Sequence, residues 1–584
     1  MNGEAVDNFS GRSVSGAGDV NGDGLADLIV GAPFASPSSG VGAGRSYVVF
    51  GKANGTAVNL STVASGTGGF VINGQSVGDN SGFSVSDAGD VNGDGLDDLV
   101  VSAPFANTSG VNSDVGKSYV VFGKANGTAV NLSTVASGTG GFVINGQSAG
   151  DTSGFSVSNA GDVNGDGLGD LIIGAYGANL NGRATGKSYV VFGKTSGTAV
   201  NLSQVSSGTG GFVINGEVAG DTSGFSVSGA GDVNGDGLGD LIIGANGASP
   251  GSRTGAGKSY VVFSKTSGTA VNLSQIVSGV GGFVINGEAA YDSSGHSVSN
   301  AGDINGDGLD DLIIGAYRAT PNGKNGAGKS YVVLGKTSGT AVNLSQIVSG
   351  VGGFVINGEA AYDSSGHSVS NAGDINGDGF ADLIVGASNA FSSGISGAGR
   401  SYVIFGGSSF TGRVTQRGST GNDTLTGSAN FQTLVGAQSD DQLNDGNFTN
   451  LVLYGGSGND QINIRNANFR RIDGGLGTDT LALASAGLTL NLTTTPNTKL
   501  SGIEQVDLTG TGNNSLTLNL RDLLSLSDTT NRIVVLGNTG DTVTSTGQGW
   551  VSSGTQTIGS NLYTRYVVAS AVLLVDTDIT RSIS

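Results

Sequence analysis

Short apolar runs set apart by polar, glycine-rich stretches give this chain its rhythm. In residues 83–146, Phe83-Ser-Val-Ser leads into a polar loop from Asp90 to Asp98. Then come Leu99-Val-Val-Ser-Ala, Ser118-Tyr-Val-Val-Phe, a connection through Ala129-Val-Asn-Leu, and Phe142-Val-Ile-Asn-Gly. These four β-branched and aromatic runs, bounded by Gly, Asn and Ser, predict four short strands. No helical period persists for 11 residues. The polar loop recurs as Asp-[Val/Ile]-Asn-Gly-Asp-Gly-x-x-Asp from Asp19, Asp90, Asp162, Asp232, Asp303 and Asp374, at spacings of 71, 72, 70, 71 and 71. Residues 265–308 and 336–379 are identical over 44 positions, so what those two copies share counts once. A four-strand unit that must bury its faces against its neighbours predicts an all-β chain built as a β-propeller.

Composition narrows the class further. Glycine supplies 108 of 584 residues and proline only 6, without an every-third-residue rhythm, which excludes both a helical protein and a collagen-like rod. The formal charge of −20 argues against a nucleic-acid partner, because phosphate binding needs clustered Lys and Arg. With no cysteine, disulfides, thiolate metal sites and cysteine nucleophiles are excluded together. No apolar run reaches the roughly 18 residues of a membrane span, so no membrane insertion is expected. Met1 is followed by a polar run with no signal-peptide pattern, which leaves a cytosolic chain, export that does not read the N-terminus, or a missing start.

The recurring loop has the layout of a calcium site. Asp19, Asn21, Asp23 and Asp27 fall at positions 1, 3, 5 and 9, with the carbonyl of Leu25 at position 7 and Gly24 at the sharp turn. The same set reads Asp90, Asn92, Asp94, Leu96 and Asp98 in the second copy, and Asp162, Asn164, Asp166, Leu168 and Asp170 in the third. It continues as Asp232, Asn234, Asp236, Leu238 and Asp240, then Asp303, Asn305, Asp307, Leu309 and Asp311, and finally Asp374, Asn376, Asp378, Phe380 and Asp382. Oxygen donors without His or Cys select Ca2+ over zinc or copper, and about six structural ions are expected. The competing reading is an Asx-rich turn that satisfies its own backbone. Three carboxylates within nine residues favour a cation between them. Six such ions would move the formal charge from −20 to −8.

At these residues the repeat resembles the FG-GAP repeat of the integrin α-chain β-propeller. Gly31-Ala32-Pro33 carries one half of that signature and is varied to Ser102-Ala103-Pro104 and Gly244-Ala245-Asn246. Phe83-Ser84, Phe155-Ser156, Phe225-Ser226, His296-Ser297 and His367-Ser368 carry the other half more weakly. The resemblance covers residues 1–410 and implies a propeller, usually seven-bladed, whereas six motifs are visible, so six or seven blades are expected. The opening Asn2-Gly-Glu-Ala aligns with Asn73-Gly-Gln-Ser of the next copy, so the chain begins inside a repeat.

A different text follows. Segments at Gly418, Gly455 and Gly474 fit GGxGxDxUx and resemble a degenerate RTX-like β-roll over 411–483, with Leu425, Leu434, Leu443 and Val452 at nine-residue spacing. Asp423, Asp460 and Asp479 stay open between weak calcium sites and plain turns. Residues 484–584 read as a C-terminal β domain, Trp550 in its core, and resemble the terminal region of large bacterial secreted repeat proteins. That resemblance implies type I secretion and an extracellular or cell-surface location.

No active site emerges. Gly74-Gln-Ser-Val-Gly and Gly146-Gln-Ser-Ala-Gly mimic a nucleophile elbow but lie between strands, without the helix that motif requires. His296 and His367 replace Phe at one duplicated position, which reads as packing. Arg183, Arg253 and Arg318 lie in variable loops that could face a ligand. The sequence therefore points to a secreted, calcium-binding, non-enzymatic adhesion or ligand-binding module for an extracellular protein or glycan. A propeller hydrolase acting on polysaccharide or a lipid anchor, and a surface-layer or matrix protein, are the alternatives.

Overall fold

The computed structural model describes the chain apart from residues 38–39, 53, 108–113, 181–182, 393, 396, 408–413, 528–529 and 569. The boundary expected at 410, the Arg183 side chain and part of the variable loop 105–116 lie outside the described residues.

Each period forms one antiparallel sheet. In blade 2 the strands Val85–Gly89, Asp98–Ala103, Lys117–Val121 and Gly141–Asn145 pair in chain order. The strands are apolar on both faces because the sheets of blades 2 to 5 are each sandwiched between two others; blades 1 and 6 keep the same pattern with one face exposed, at Leu28 and Ile384. Leu99, Val101, Tyr119 and Val121 of blade 2 pack on Ile29, Val48, Phe70 and Ile72 of blade 1. Val100, Val120, Phe142 and Ile144 leave from its opposite face and pack on blade 3. The same joint recurs between blades 3 and 4, 4 and 5, and 5 and 6. The result is a six-bladed β-propeller followed by further β-sheet structure. No helix among the described residues is long and apolar enough to cross a membrane.

Two devices lock neighbouring blades. The Ala129-Val-Asn-Leu connection is more than a linker: Val130–Asn131 pairs in parallel with Ile72 and Asn73 of the preceding blade before one helical turn, Leu132–Val135. Asn73 Nδ2 donates to Asn131 Oδ1 at 3.1 Å, and the arrangement repeats at Asn145–Asn201, Asn215–Asn272 and Asn286–Asn343. The second device is a buried tyrosine pinned by the chain leaving the blade before. Tyr260 Oη donates to Glu217 Oε2 at 2.6 Å, and Lys258 Nζ meets the same oxygen at 2.7 Å. Gln75 takes the place of the glutamate at Tyr119 and Gln147 at Tyr189.

Beyond residue 413 the pairing becomes parallel, except that Asn561–Val568 pairs antiparallel with both Val551–Ile558 and Ala571–Asp576. Thr424–Thr426, Gln442–Asn444, Gln461–Ile464, Thr480–Leu483 and Gln505–Asp507 stack in register as one sheet, and Thr433–Gln438, Val452–Ser457 and Arg471–Leu476 as another. The nine-residue apolar spacing is alternation between these two sheets of a parallel solenoid, whose interior stacks Leu443, Ile462, Leu481 and Val506. After residue 484, Arg532–Leu536 and Ala571–Asp576 extend the first sheet, while Thr489–Asn491, Ser515–Thr517, Thr542–Ser545 and Thr580–Ile583 form a third parallel sheet. Trp550 is buried, with Nε1 donating to Ser545 Oγ at 2.8 Å.

Candidate metal loops and the solenoid that covers them

Each polar loop joins the first and second strands of its blade, and its own backbone sets its carboxylates. Asp19 Oδ1 accepts from the N–H groups of Gly22 and Asp23 at 2.7 and 3.1 Å, and Oδ2 from Gly24 at 2.8 Å. Asp27, the first residue of the next strand, accepts from Val20 at 3.1 Å and from Gly51 at 2.7 Å. Positions 1 and 9 are held in the same way at Asp90 and Asp98, Asp162 and Asp170, Asp232 and Asp240, Asp303 and Asp311, and Asp374 and Asp382. Gly22 and Gly24 sit at φ 76° and 83°, the left-handed region in which glycine carries no side-chain penalty.

The loops also stack on one another, which explains two of their residues. A Cβ on Gly22 would lie 3.0 Å from Leu96 Cδ2, and one on Gly235 3.0 Å from Leu309 Cδ2. The side chain at position 7 of one loop thus rests on the position-4 glycine of the loop before it. Asp97 Oδ2 accepts from the Asp19 N–H at 2.8 Å, and Asp310 Oδ2 from the Asp232 N–H at 2.8 Å. From sequence, position 7 offers a ligand only through its carbonyl and position 8 has no visible role.

The donor chemistry suits a hard cation. Burial, followed by repulsion from other loop carboxylates, pushes Asp27 up to about 6 and Asp170 up to about 8. Asn305 Oδ1 and Asn376 Oδ1, at position 3, are buried acceptors without a donor. A divalent ion would satisfy those amide oxygens and offset the crowded charge. Among the described residues no three acidic or His side chains are drawn into a metal cluster, so the loops combine a self-bonded Asx turn with donors that fit Ca2+.

The solenoid lies along these loops. Asn531 Nδ2 and Ser570 Oγ donate to the Gly95 carbonyl at 2.9 and 3.1 Å, and Thr498 Oγ1 to that of Gly237 at 2.9 Å. Tyr454 Oη donates to Asp303 Oδ2 at 2.6 Å, and Arg471 pairs with Asp310 at 2.9 Å. At blade 6, Arg417 pairs with Asp378 at 3.0 Å, and Ser457 Oγ and Gln438 Nε2 donate to the carbonyls of Gly377 and Asn376. A cavity of about 630 Å³ remains between Asp19, Asp90 and Asp162 on one side and Asn519, Arg521 and Asn531 on the other.

The two histidines belong to a column of rings at the start of the innermost strands. Phe83, Phe155, Phe225, His296 and His367 follow one another with centroids 5.1, 5.0, 5.0 and 4.8 Å apart. Arg12 occupies the equivalent place in blade 1, 4.5 Å above Phe83. Burial lowers His296 to about 4, so it stacks as a neutral ring.

The FG-GAP repeat family matches residues 10–49, 83–121, 153–191, 223–262, 294–333 and 365–404. The chain is 31% identical over 183 residues to integrin alpha-IIb of Mus musculus, covering 31% of this chain and 16% of that protein. It is 30% identical over 246 residues to integrin alpha pat-2 of Caenorhabditis elegans, covering 41% and 18%, and 30% identical over 242 residues to integrin alpha-PS2 of Drosophila melanogaster, covering 41% and 15%. The chain thus spans less than a fifth of the length of these relatives.

Proposed function

For a chain whose first two thirds form an FG-GAP-repeat, integrin-α-like β-propeller, we propose a secreted, calcium-stabilised adhesion or ligand-binding module. The propeller is similar to integrin α chains, and we read it as a non-enzymatic module. The observation that carries the calcium reading is the loop itself, repeated six times with Asp at positions 1, 5 and 9 and with orphaned amide oxygens at Asn305 and Asn376. Asp19, Asn21, Asp23, Asp27 and the Leu25 carbonyl, with their counterparts in the other loops, are the ligands of this reading.

A magnitude links the ions to location. With a dissociation constant of about 0.1 mM, free calcium of about 1 mM stabilises the folded state by about 1.4 kcal/mol per site. Over six sites that is about 8 kcal/mol, comparable to the net stability of a domain. Cytosolic calcium lies far below that level, which supports an extracellular or cell-surface setting, with export by type I secretion through the C-terminal region. The 411–483 segment as an RTX-like roll and 484–584 as a secretion-related unit complete the reading. The partner is an extracellular protein or glycan, met by the loops that vary between blades, among them 246–257 and 317–327.

Thermal melting of the full chain tests the calcium reading. The midpoint is expected to rise steeply as calcium goes from chelated to millimolar, and Asp98→Asn with Asp170→Asn to flatten that rise. A midpoint indifferent to calcium would sink the proposal. A glycan and matrix-protein array, read with variable loops exchanged, tests adhesion separately.

A further inference from the structure

Blade 6 differs from the others at its outer edge. Blades 1 to 5 each carry a fourth strand of the same five residues, Gly-Phe-Val-Ile-Asn, at Gly69–Asn73, Gly141–Asn145, Gly211–Asn215, Gly282–Asn286 and Gly353–Asn357. Blade 6 consists of Ser365–Gly373, Asp382–Ala387 and Arg400–Ile404, and among the described residues no strand pairs with the far side of Arg400–Ile404.

The uncovered strand keeps every feature of its covered counterparts. Arg400-Ser-Tyr-Val-Ile-Phe matches Arg45-Ser-Tyr-Val-Val-Phe of blade 1. There Arg45 pairs with Asn73, Ser46 with Ile72, Tyr47 with Val71, Val48 with Phe70 and Val49 with Gly69. Phe50 N–H donates to the Gly68 carbonyl at 3.1 Å and Gly74 N–H to the Gly44 carbonyl at 2.9 Å. Bonded positions alternate in an antiparallel pair, so Ser46 and Val48 also turn N–H and C=O outward. In blade 6 the equivalent groups are those of Ser401, Val403 and Phe405. Val403 is 45% and Phe405 55% exposed, and Ile384 beside them 37%, whereas Ile313 and Val332 at the matching places of blade 5 are fully buried, both by Phe354 and Ile356 of their own fourth strand and by blade 6 across the joint. Edge strands of stable proteins are usually blunted by Lys, Pro, a bulge or a cover, and this one carries a single charge at its start.

We propose that the Arg400–Ile404 edge is a β-augmentation site that takes one extended protein segment of the form Gly-Phe-Val-Ile-Asn, antiparallel and in the register of the other five blades. Main-chain hydrogen bonds at Ser401 and Val403 supply the pairing. The incoming Phe and Ile lie beside Val403 and Ile384, as Phe70 and Ile72 lie beside Val48 and Ile29 in blade 1. The incoming Gly faces Ile404 and the incoming Asn faces Arg400. This inference does not depend on calcium or on the adhesion reading.

The test uses the full chain and a fluorescein-labelled peptide, Gly-Gly-Phe-Val-Ile-Asn, followed by anisotropy in millimolar calcium. Saturable binding is expected, with none for the same residues in scrambled order. Val403→Pro removes an N–H that blade 6 itself does not use, and is expected to weaken binding at least about tenfold with an unchanged melting midpoint. Register is read by disulfide trapping, clean because the chain has no cysteine. Arg400→Cys is expected to trap a peptide whose Asn is replaced by Cys, and Ile404→Cys to trap it poorly. The idea is overturned if the peptide fails to bind, binds the Val403→Pro chain equally, or is trapped equally at both positions. It is also overturned if sedimentation shows the edge already filled by a second copy, as a dimer that Val403→Pro dissolves.

Discussion

The propeller and the solenoid both place aspartate in glycine-rich turns, yet they use the carboxylate in opposite ways. In the propeller the carboxylate at position 1 bonds its own loop: Asp19 is held by Gly22, Asp23 and Gly24, three to five residues on, and only position 8 reaches the loop before, as Asp97 does to the Asp19 N–H. In the solenoid one column of turn carboxylates bonds the turn before. Asp441 Oδ1 accepts from the Asp423 N–H at 2.6 Å, Asp460 from Asp441 at 2.7 Å, Asp479 from Asp460 at 2.7 Å, and Glu504 from Asp479 at 2.8 Å. A propeller loop can therefore form within one blade, whereas a solenoid turn is complete only when the next is in place. The loops add single contacts between blades, such as Asp97 to the Asp19 N–H, while most of the cohesion between blades comes from the apolar joints and the tyrosine pins.

The apolar joint should give the largest effect. Ile313 is fully buried between blades 5 and 6, and Ile313→Ala is expected to cost about 2–5 kcal/mol in chemical denaturation. Ile384→Ala, at the matching place on the exposed face of blade 6, should cost well under half as much. Equal losses would mean that the two faces are equally covered.

The carboxylate ladder comes next. Burial, followed by repulsion from neighbouring acids, raises Asp460 to about 6 and Asp479 to about 8, against about 3.9 for an unfolded aspartate. The unfolded chain releases these protons first, so the contribution to stability is fully present below about pH 4. It fades as pH climbs through 6 and 8. With calcium saturating the propeller loops, the solenoid should melt higher at pH 5 than at pH 9. Asp479→Asn keeps an acceptor for the Asp460 N–H while removing the charge, and should flatten the upper part of that slope. A slope unchanged in Asp479→Asn would remove the ladder as its source.

How far the sequence revealed this molecule depended on whether a feature repeats locally. The strands were legible because burial on both faces makes them short, wholly apolar runs, and the loops because their ligands span nine residues. The parallel strap at Val130–Asn131 was not, since two residues carry no period. Only part of the ladder is legible. Asp423, Asp460 and Asp479 follow recognisable glycines, but Asp441 follows Ala437-Gln-Ser, where Ala437 and Ser439 adopt φ 86° and 74° without being glycine. The solenoid's seat on the loops could not be seen, because Tyr454 and Asp303 are 151 residues apart and neither belongs to a motif that names the other.

The tyrosine pins give the smallest expected effect and the sharpest internal control. Tyr260 and Tyr119 are both fully buried at equivalent places, but Tyr260 donates to the Glu217 carboxylate and Tyr119 to the neutral Gln75 amide, each at 2.6 Å. Hydrogen bonds to charged groups contribute about 1.5–3 kcal/mol and neutral ones about 0.5–1.5. Tyr260→Phe should therefore destabilise more than Tyr119→Phe, because it leaves Glu217 with Lys258 alone while Gln75 loses only a neutral donor. Glu217→Gln should bring the two tyrosine variants level in a double-mutant cycle. If both variants cost the same while Glu217 is intact, the pin acts through ring packing, and the charge that leaves one blade has no part in holding the next.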